Sequence, residues 1–177
     1  MAIRKASSYS QKKARPFTRN SRNKSKSYIK TVPQNKVVKY HIGNQKDYKL
    51  GKHSYAVRMV AEGRSQMRDN ALEAARQFLT KALDEQALGQ YYLAVKVFPH
   101  HLLRENKTAA GAGADRMSSG MTHSYGIVIG RAAIVKPGQT VFFISCANDK
   151  VARIARDSLS AVKSKMPCKV SIVFEKL

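Results

Sequence analysis

Three groups of residues in this chain have types and spacing that could do chemistry: a glycine-rich stretch, a histidine pair and a large excess of cations. Gly111-Ala112-Gly113-Ala114-Asp115 resembles the start of a dinucleotide-binding turn, in which glycines let the backbone approach a pyrophosphate. The third glycine of that pattern is missing, and Ser118, Ser119 and Gly120 stand where its helix should begin. No Gly-Lys-Ser/Thr closes the stretch as a phosphate loop would require. His100-His101 are metal-ligand types, but adjacent side chains point different ways and no adjacent carboxylate or cysteine completes a site. His41, His53 and His123 are scattered, and no serine sits in a nucleophile elbow. The spacing therefore assigns no catalytic residue, no metal and no cofactor.

The cations carry a stronger signal. Lys and Arg number 33 against 11 Asp and Glu, a formal charge of +22. A folded enzyme gains nothing from such self-repulsion, so a polyanionic partner is the natural explanation. Residues 1–52 hold fifteen Lys/Arg and one acid, Asp47, for a net +14; residues 53–177 hold eighteen against ten, for +8. The first segment has few large aliphatic residues and cannot bury much surface by itself. Between residues 4 and 30, Arg, Lys, Ser and Asn alternate with Tyr9, Phe17 and Tyr28. Such a segment can be a solvated tail in isolation and an arm that orders on RNA, its cations on phosphates and its rings on bases or ribose. A nuclear-localisation signal is another reading of the same run.

The elements that must position these groups are legible in outline. No apolar run approaches the ~18 residues of a membrane span. The start of the chain is basic and Ser-rich without the apolar stretch of a secretory signal, and two non-patterned cysteines, Cys146 and Cys168, fit a reducing, cytoplasmic setting. Alternating hydrophobicity predicts strands within residues 53–62, 91–98 and 168–174, a strongly apolar run predicts another at 141–146, and 123–135 reads as an extended stretch in which Gly126 and Gly130 mark bends or bulges. Asn70 followed by Glu73 has capping-box spacing, and Leu72, Ala75, Phe78, Leu79, Ala82 and Leu83 recur as one helical face, stopped at Gly89. A second helix, capped by Asn148 or Asp149 and ended by Pro167, presents Val151, Ile154, Ala155, Leu159 and Val162. Each helix has one apolar stripe. The expected fold is α/β of the α+β kind: a two-layer sandwich of a mixed, largely antiparallel sheet with two helices, preceded by the basic arm 1–52. The sheet face or edges left over could meet RNA. Residues 99–122 form an expected connection too long for an ordinary turn, and such loops are functional or disordered. Gly111 and Gly113 allow close backbone approach there, and Arg104, Lys107 and Arg116 supply cations.

At this point a family resemblance emerges. Phe98-Pro99-His100-His101-Leu102-Leu103-Arg104-Glu105-Asn106-Lys107, then Gly111-Ala112-Gly113-Ala114-Asp115-Arg116 and Gly120-Met121, resemble the signature of a universal large-subunit ribosomal protein family, called L ten-e in archaea and eukaryotes and L sixteen in bacteria. Arg15-Pro16-Phe17-Thr18-Arg19, Tyr28-Ile29-Lys30-Thr31-Val32-Pro33, Leu72-Glu73-Ala74-Ala75-Arg76 and Lys136-Pro137-Gly138-Gln139 extend the resemblance over nearly the whole chain. The long loop is similar to the archaeal and eukaryotic branch, while the arm is richer in Lys and Ser than the family pattern. The resemblance implies an α/β-hammerhead-like fold and binding to large-subunit rRNA near 5S rRNA, among neighbouring ribosomal proteins and away from any membrane. It further implies a position beside A-site tRNA, with the long loop directed at the peptidyl transferase centre, where RNA and not protein performs the chemistry. By this resemblance the rRNA contacts in the arm fall to Arg4, Lys5, Lys12, Lys13, Arg15, Arg19, Arg22, Lys24, Lys26 and Lys30. Those near tRNA fall to Arg104, Lys107, Gly111, Gly113 and Arg116. The competing class is an RNA-modifying enzyme with a basic targeting arm, which would need a cofactor pocket or an acid/base pair.

Overall fold

A computed structural model describes residues 6–9, 32–105 and 127–177. After a 3-10 turn at Ala6–Tyr9, the chain forms β1 (His41–Gly43), α1 (Gln45–Lys49), β2 (Tyr55–Ala61), β3 (Ser65–Arg68), α2 (Asp69–Ala87), β4 (Tyr91–Val95), β5 (His101–Glu105), β6 (Ile127–Val135), β7 (Thr140–Cys146), α3 (Asp149–Val162) and β8 (Val170–Lys176). The architecture is α+β, as expected. Five strands form one sheet in the order β1-β4-β7-β2-β8 and three form a second in the order β3-β6-β5. Every pairing is antiparallel.

The two long helices, α2 and α3, pack on one face of the larger sheet, giving the two layers. Strand alternation directs Val57 and Met59 of β2, Leu93 of β4 and Phe142 and Ile144 of β7 toward them, all fully buried. Leu72, Leu79 and Leu83 of α2 and Val151, Ala155 and Leu159 of α3 complete this main cluster. Burying such a side chain contributes about 1.5–3 kcal/mol, so the stability of the domain is concentrated in this layer. Tyr91 is buried with them and its hydroxyl donates to Asp84 Oδ1 of α2 at 2.5 Å.

Several local expectations hold and others shift. Gly89, at φ +76°, follows α2 where a left-handed residue ends a helix, the stop expected from sequence. The start differs: α2 begins at Asp69, with extended Arg68 in the cap position making no side-chain cap bond. Asn70 thus lies inside the helix, and no capping box forms because Glu73 is engaged elsewhere. Phe78 also differs. It is 43% exposed, whereas its neighbour Leu79 is fully buried, so the apolar stripe of α2 runs through Leu72, Ala75, Leu79 and Leu83 and excludes Phe78. Asn148 occupies the cap position of α3 without a side-chain cap bond. That helix ends at Val162 in a 3-10 turn, and Met166 is extended, the conformation forced on a residue before proline. In β6 the pairing steps from Leu103↔Gly130 to Arg104↔Val128, so Ile129 is the extra residue of a bulge beside Gly130.

Four short elements have no counterpart in the sequence reading: β1, α1, β3 and β5. β5 lies within the stretch read as the connection 99–122. Its His101, Leu102 and Leu103 are all buried, which removes the alternation that marks a half-exposed strand. Within the segment read as arm, β1 pairs with β4 and Val37 is buried against the main cluster. Gly43 of β1, at φ +84°, lets the chain pass Tyr91, whose carbonyl oxygen would lie 2.4 Å from any added Cβ.

Candidate nucleic-acid interface

The expected arm contacts Arg4, Lys5, Lys12, Lys13, Arg15, Arg19, Arg22, Lys24, Lys26 and Lys30 lie outside the described residues, as do Lys107, Gly111, Gly113 and Arg116 of the loop. Of Arg104 the backbone is described, paired with Val128 in the smaller sheet. What the structure describes are the roots from which both segments leave the domain.

The arm's root is a strap at residues 33–40. Asn35 Oδ1 accepts from the Val37 amide at 3.1 Å, an Asx-type turn, while Asn35 Nδ2 donates to the Tyr40 hydroxyl at 2.6 Å. Two carboxylates of α2 receive the strap's backbone: Asp69 Oδ2 accepts from the Lys36 amide and Glu73 Oε2 from the Val38 amide, both at 3.3 Å. From the other side Arg131 of β6 donates Nε to the Pro33 carbonyl at 2.6 Å. The strap is thus pinned at three points by bonds to or from charged groups, the short one from Arg131 being the strongest.

Glu73 is the hub of this arrangement. Arg76 donates to both carboxylate oxygens, at 2.8 Å from Nε and 2.5 Å from the terminal nitrogen, and Gln77 Nε2 adds a bond at 3.0 Å. The Arg76 guanidinium holds the Glu73 carboxyl below the usual carboxylate range, and Glu73 in turn raises Arg76. Burial, opposed by the bond from Asn35, raises the Tyr40 hydroxyl.

The loop's root is the pair β5–β6, where Glu105 lies opposite Ile127. Arg131, which holds the arm's strap, sits on the same strand four residues from that end, a distance on the order of 13 Å along an extended chain. The two segments expected to contact RNA therefore arise from one region of the domain, joined through β6. Sequence reasoning missed Asp69, Glu73 and Arg131, because nothing local distinguishes a carboxylate that caps a distant backbone from a solvated one.

The histidine pair behaves as two unrelated residues. His100 is exposed and His101 is buried, where desolvation pushes its pKa down. Among the described residues no three His, Cys, Asp or Glu gather as metal ligands. Cys146 and Cys168 are both free thiols. No described helix is long and apolar enough to cross a membrane.

Comparison with known proteins gives the context for these roots. Residues 12–173 match the family described as ribosomal protein L16p/L10e. The large ribosomal subunit protein uL16 of Staphylothermus marinus is 39% identical over 178 residues, covering 100% of this chain and 96% of the relative. The protein of the same name from Methanococcus aeolicus is 40% identical, covering 99% of this chain and 96% of the relative. That of Archaeoglobus fulgidus is 39% identical over 163 residues, covering 92% and 87%. With a family match along nearly its whole length and relatives of this identity over the same span, the chain belongs to the ribosomal protein L16p/L10e family.

Proposed function

We propose that the chain is a structural constituent of the large subunit of cytoplasmic ribosomes and not an enzyme. In this reading it binds large-subunit rRNA near 5S rRNA and supports the positioning of A-site tRNA near the peptidyl transferase centre. The observation that carries the proposal is the charge asymmetry, fifteen cations against one acid in residues 1–52, on a chain whose relatives are named as large-subunit proteins. The arm 1–52 supplies the rRNA contacts, with its last part folded onto the α+β domain 53–177 as a stem. The segment between β5 and β6, with Lys107 and Arg116 and with Arg104 on β5 at its root, reaches the tRNA side. The common root through Arg131 and Glu73 supports this reading, because it holds the origins of arm and loop in fixed relation.

Two measurements test it. Removing residues 1–30 should flatten the dependence of rRNA affinity on salt, whose log–log slope is near −0.9 per neutralised phosphate for duplex-like RNA, while the thermal transition stays nearly unchanged. Equal slopes for the full and shortened chains would remove the arm from the proposal. Ribosomes in which Thr108–Gly120 is replaced by a short Gly/Ser linker should retain the protein but accommodate A-site tRNA poorly. Normal translation at full occupancy would withdraw the loop assignment. Co-sedimentation after a high-salt wash separates the proposal from an RNA-modifying enzyme, since only a structural constituent stays stoichiometric with large subunits.

A further inference from the structure

The larger sheet has a second face, turned away from α2 and α3. Strand alternation places Ala56, Tyr92, Ala94 and Phe143 there as a small separate cluster. Among the described residues the one helix on this face is the short α1, whose Tyr48 packs on the cluster. The Tyr48 ring stacks on Tyr92 with centroids 4.8 Å apart and planes at 19°, and it meets Phe143 edge-on at 5.7 Å. The exposed ring of His41 lies parallel to Tyr92, and its Nδ1 is 2.7 Å from the Tyr92 hydroxyl oxygen.

Two cations lie over this aromatic floor. The Lys96 ammonium is 5.3 Å from the Phe143 centroid and the Arg58 guanidinium 5.9 Å from it. Arg58 is also paired with Glu175 at 2.5 Å. Lys96 is exposed and has no carboxylate partner among the described residues, so its contact with Phe143 places the ammonium without neutralising it. The floor rings Tyr92 and Phe143 are themselves buried, so what this face offers is its rim: the exposed His41 ring and the half-buried Tyr48 ring beside an un-neutralised cation, complementary to a polymer that carries both anions and flat rings. RNA supplies both, with phosphates for the cation and ribose or bases for the rings.

We infer that this face is a second RNA-docking surface, on which Lys96 takes a phosphate of an RNA strand beside the rim formed by Tyr48 and His41. The inference rests on the RNA-binding reading above, but it involves neither the arm cations nor the loop.

The test uses the full-length chain and in vitro transcribed large-subunit rRNA, titrated over a range of salt. Lys96 is exposed, so its replacement should leave the thermal transition in place, checked by circular dichroism. Lys96→Ala should lower the log–log salt slope by about one, and Lys96→Glu should weaken binding about tenfold or more. An Arg15→Glu/Arg19→Glu variant serves as the arm control. If Lys96→Glu binds with wild-type affinity and slope while the arm control binds weakly, the inference is overturned and the RNA-binding reading survives. If the unaltered chain shows no salt-dependent binding, both fall. If Lys96→Glu binds rRNA normally yet is depleted from assembled large subunits, the occupant of this face is a protein and the inference is equally overturned.

Discussion

The two faces of the five-stranded sheet share the same strands and hydrogen-bond ladder but have opposite characters. The inner face presents Val57, Met59, Leu93, Phe142 and Ile144 to two long helices and is fully buried. The outer face presents Ala56, Tyr92, Ala94 and Phe143, shielded by the ring of Tyr48 and the chains of Lys96 and Arg58. Adjacent residues Phe142 and Phe143 are both buried, at 0% and 6% exposure, yet one is held by a packed layer and the other by a polar rim. The difference teaches that burial alone does not identify the layer that holds a fold together. What matters is whether the surroundings can close when a side chain is removed.

The largest expected effect follows directly. Phe142→Ala should destabilise the domain by about 3–5 kcal/mol, because rigid neighbours leave a cavity. Phe143→Ala should cost clearly less, since the alkyl stems of Lys96 and Arg58 can settle into the space. Urea melts of the two variants decide it, and equal midpoints would erase the distinction between the faces. Next in size is the helix layer that covers the inner face. Leu79→Ala should cost about 2–5 kcal/mol, whereas Phe78→Ala, on an exposed side chain, should cost about 1 kcal/mol or less. The reverse order in the same melts would place Phe78 on the sheet after all.

A smaller effect separates the faces by pH. His53, buried near the outer face, has its ring nitrogen Nδ1 2.7 Å from the Ser145 hydroxyl oxygen, and burial pushes its pKa down despite the opposing pull of Asp47. The unfolded chain, with histidine near about 6.5, then binds more protons than the folded chain in mild acid. The stabilising contribution is therefore full above that value and is lost as pH falls through it toward the lower folded value. Chemical denaturation from pH 8 to pH 5 should show the stability of the wild type falling relative to His53→Gln; parallel profiles would show that burial does not perturb His53. The inner face should contribute nothing in this window, since the Cys146 thiol is pushed up to about 12 and the Tyr91 hydroxyl is also raised by burial. The smallest effect is on the outer rim: Lys96→Ala should change stability by less than about 0.5 kcal/mol. A larger loss would mean that Lys96 is part of the packing and not a charge presented to a partner.

The sequence by itself determined β2 and β8 by their alternation, β7 by its apolar run, and two amphipathic helices, because period and run length are set by local backbone geometry. It also determined the charge partition between arm and domain, which is composition alone, and the family, whose signature lies between Phe98 and Met121 and whose match spans residues 12–173. Tertiary structure decided the rest. Phe78 and Leu79 both fit a helical stripe, and only the position of the sheet selects Leu79. β1, β3 and β5 are too short, or too evenly buried, to carry a period, and exist because a longer strand supplies their hydrogen bonds. Glu73 reads as a capping residue, yet it binds Arg76, Gln77 and the Val38 amide, the last 35 positions away in sequence. Likewise Lys96 and Arg58 meet over Phe143 only once β4, β7 and β2 lie side by side. Local periodicity reports which face a residue occupies; which residues share that face is a long-range fact, set by strand order and register.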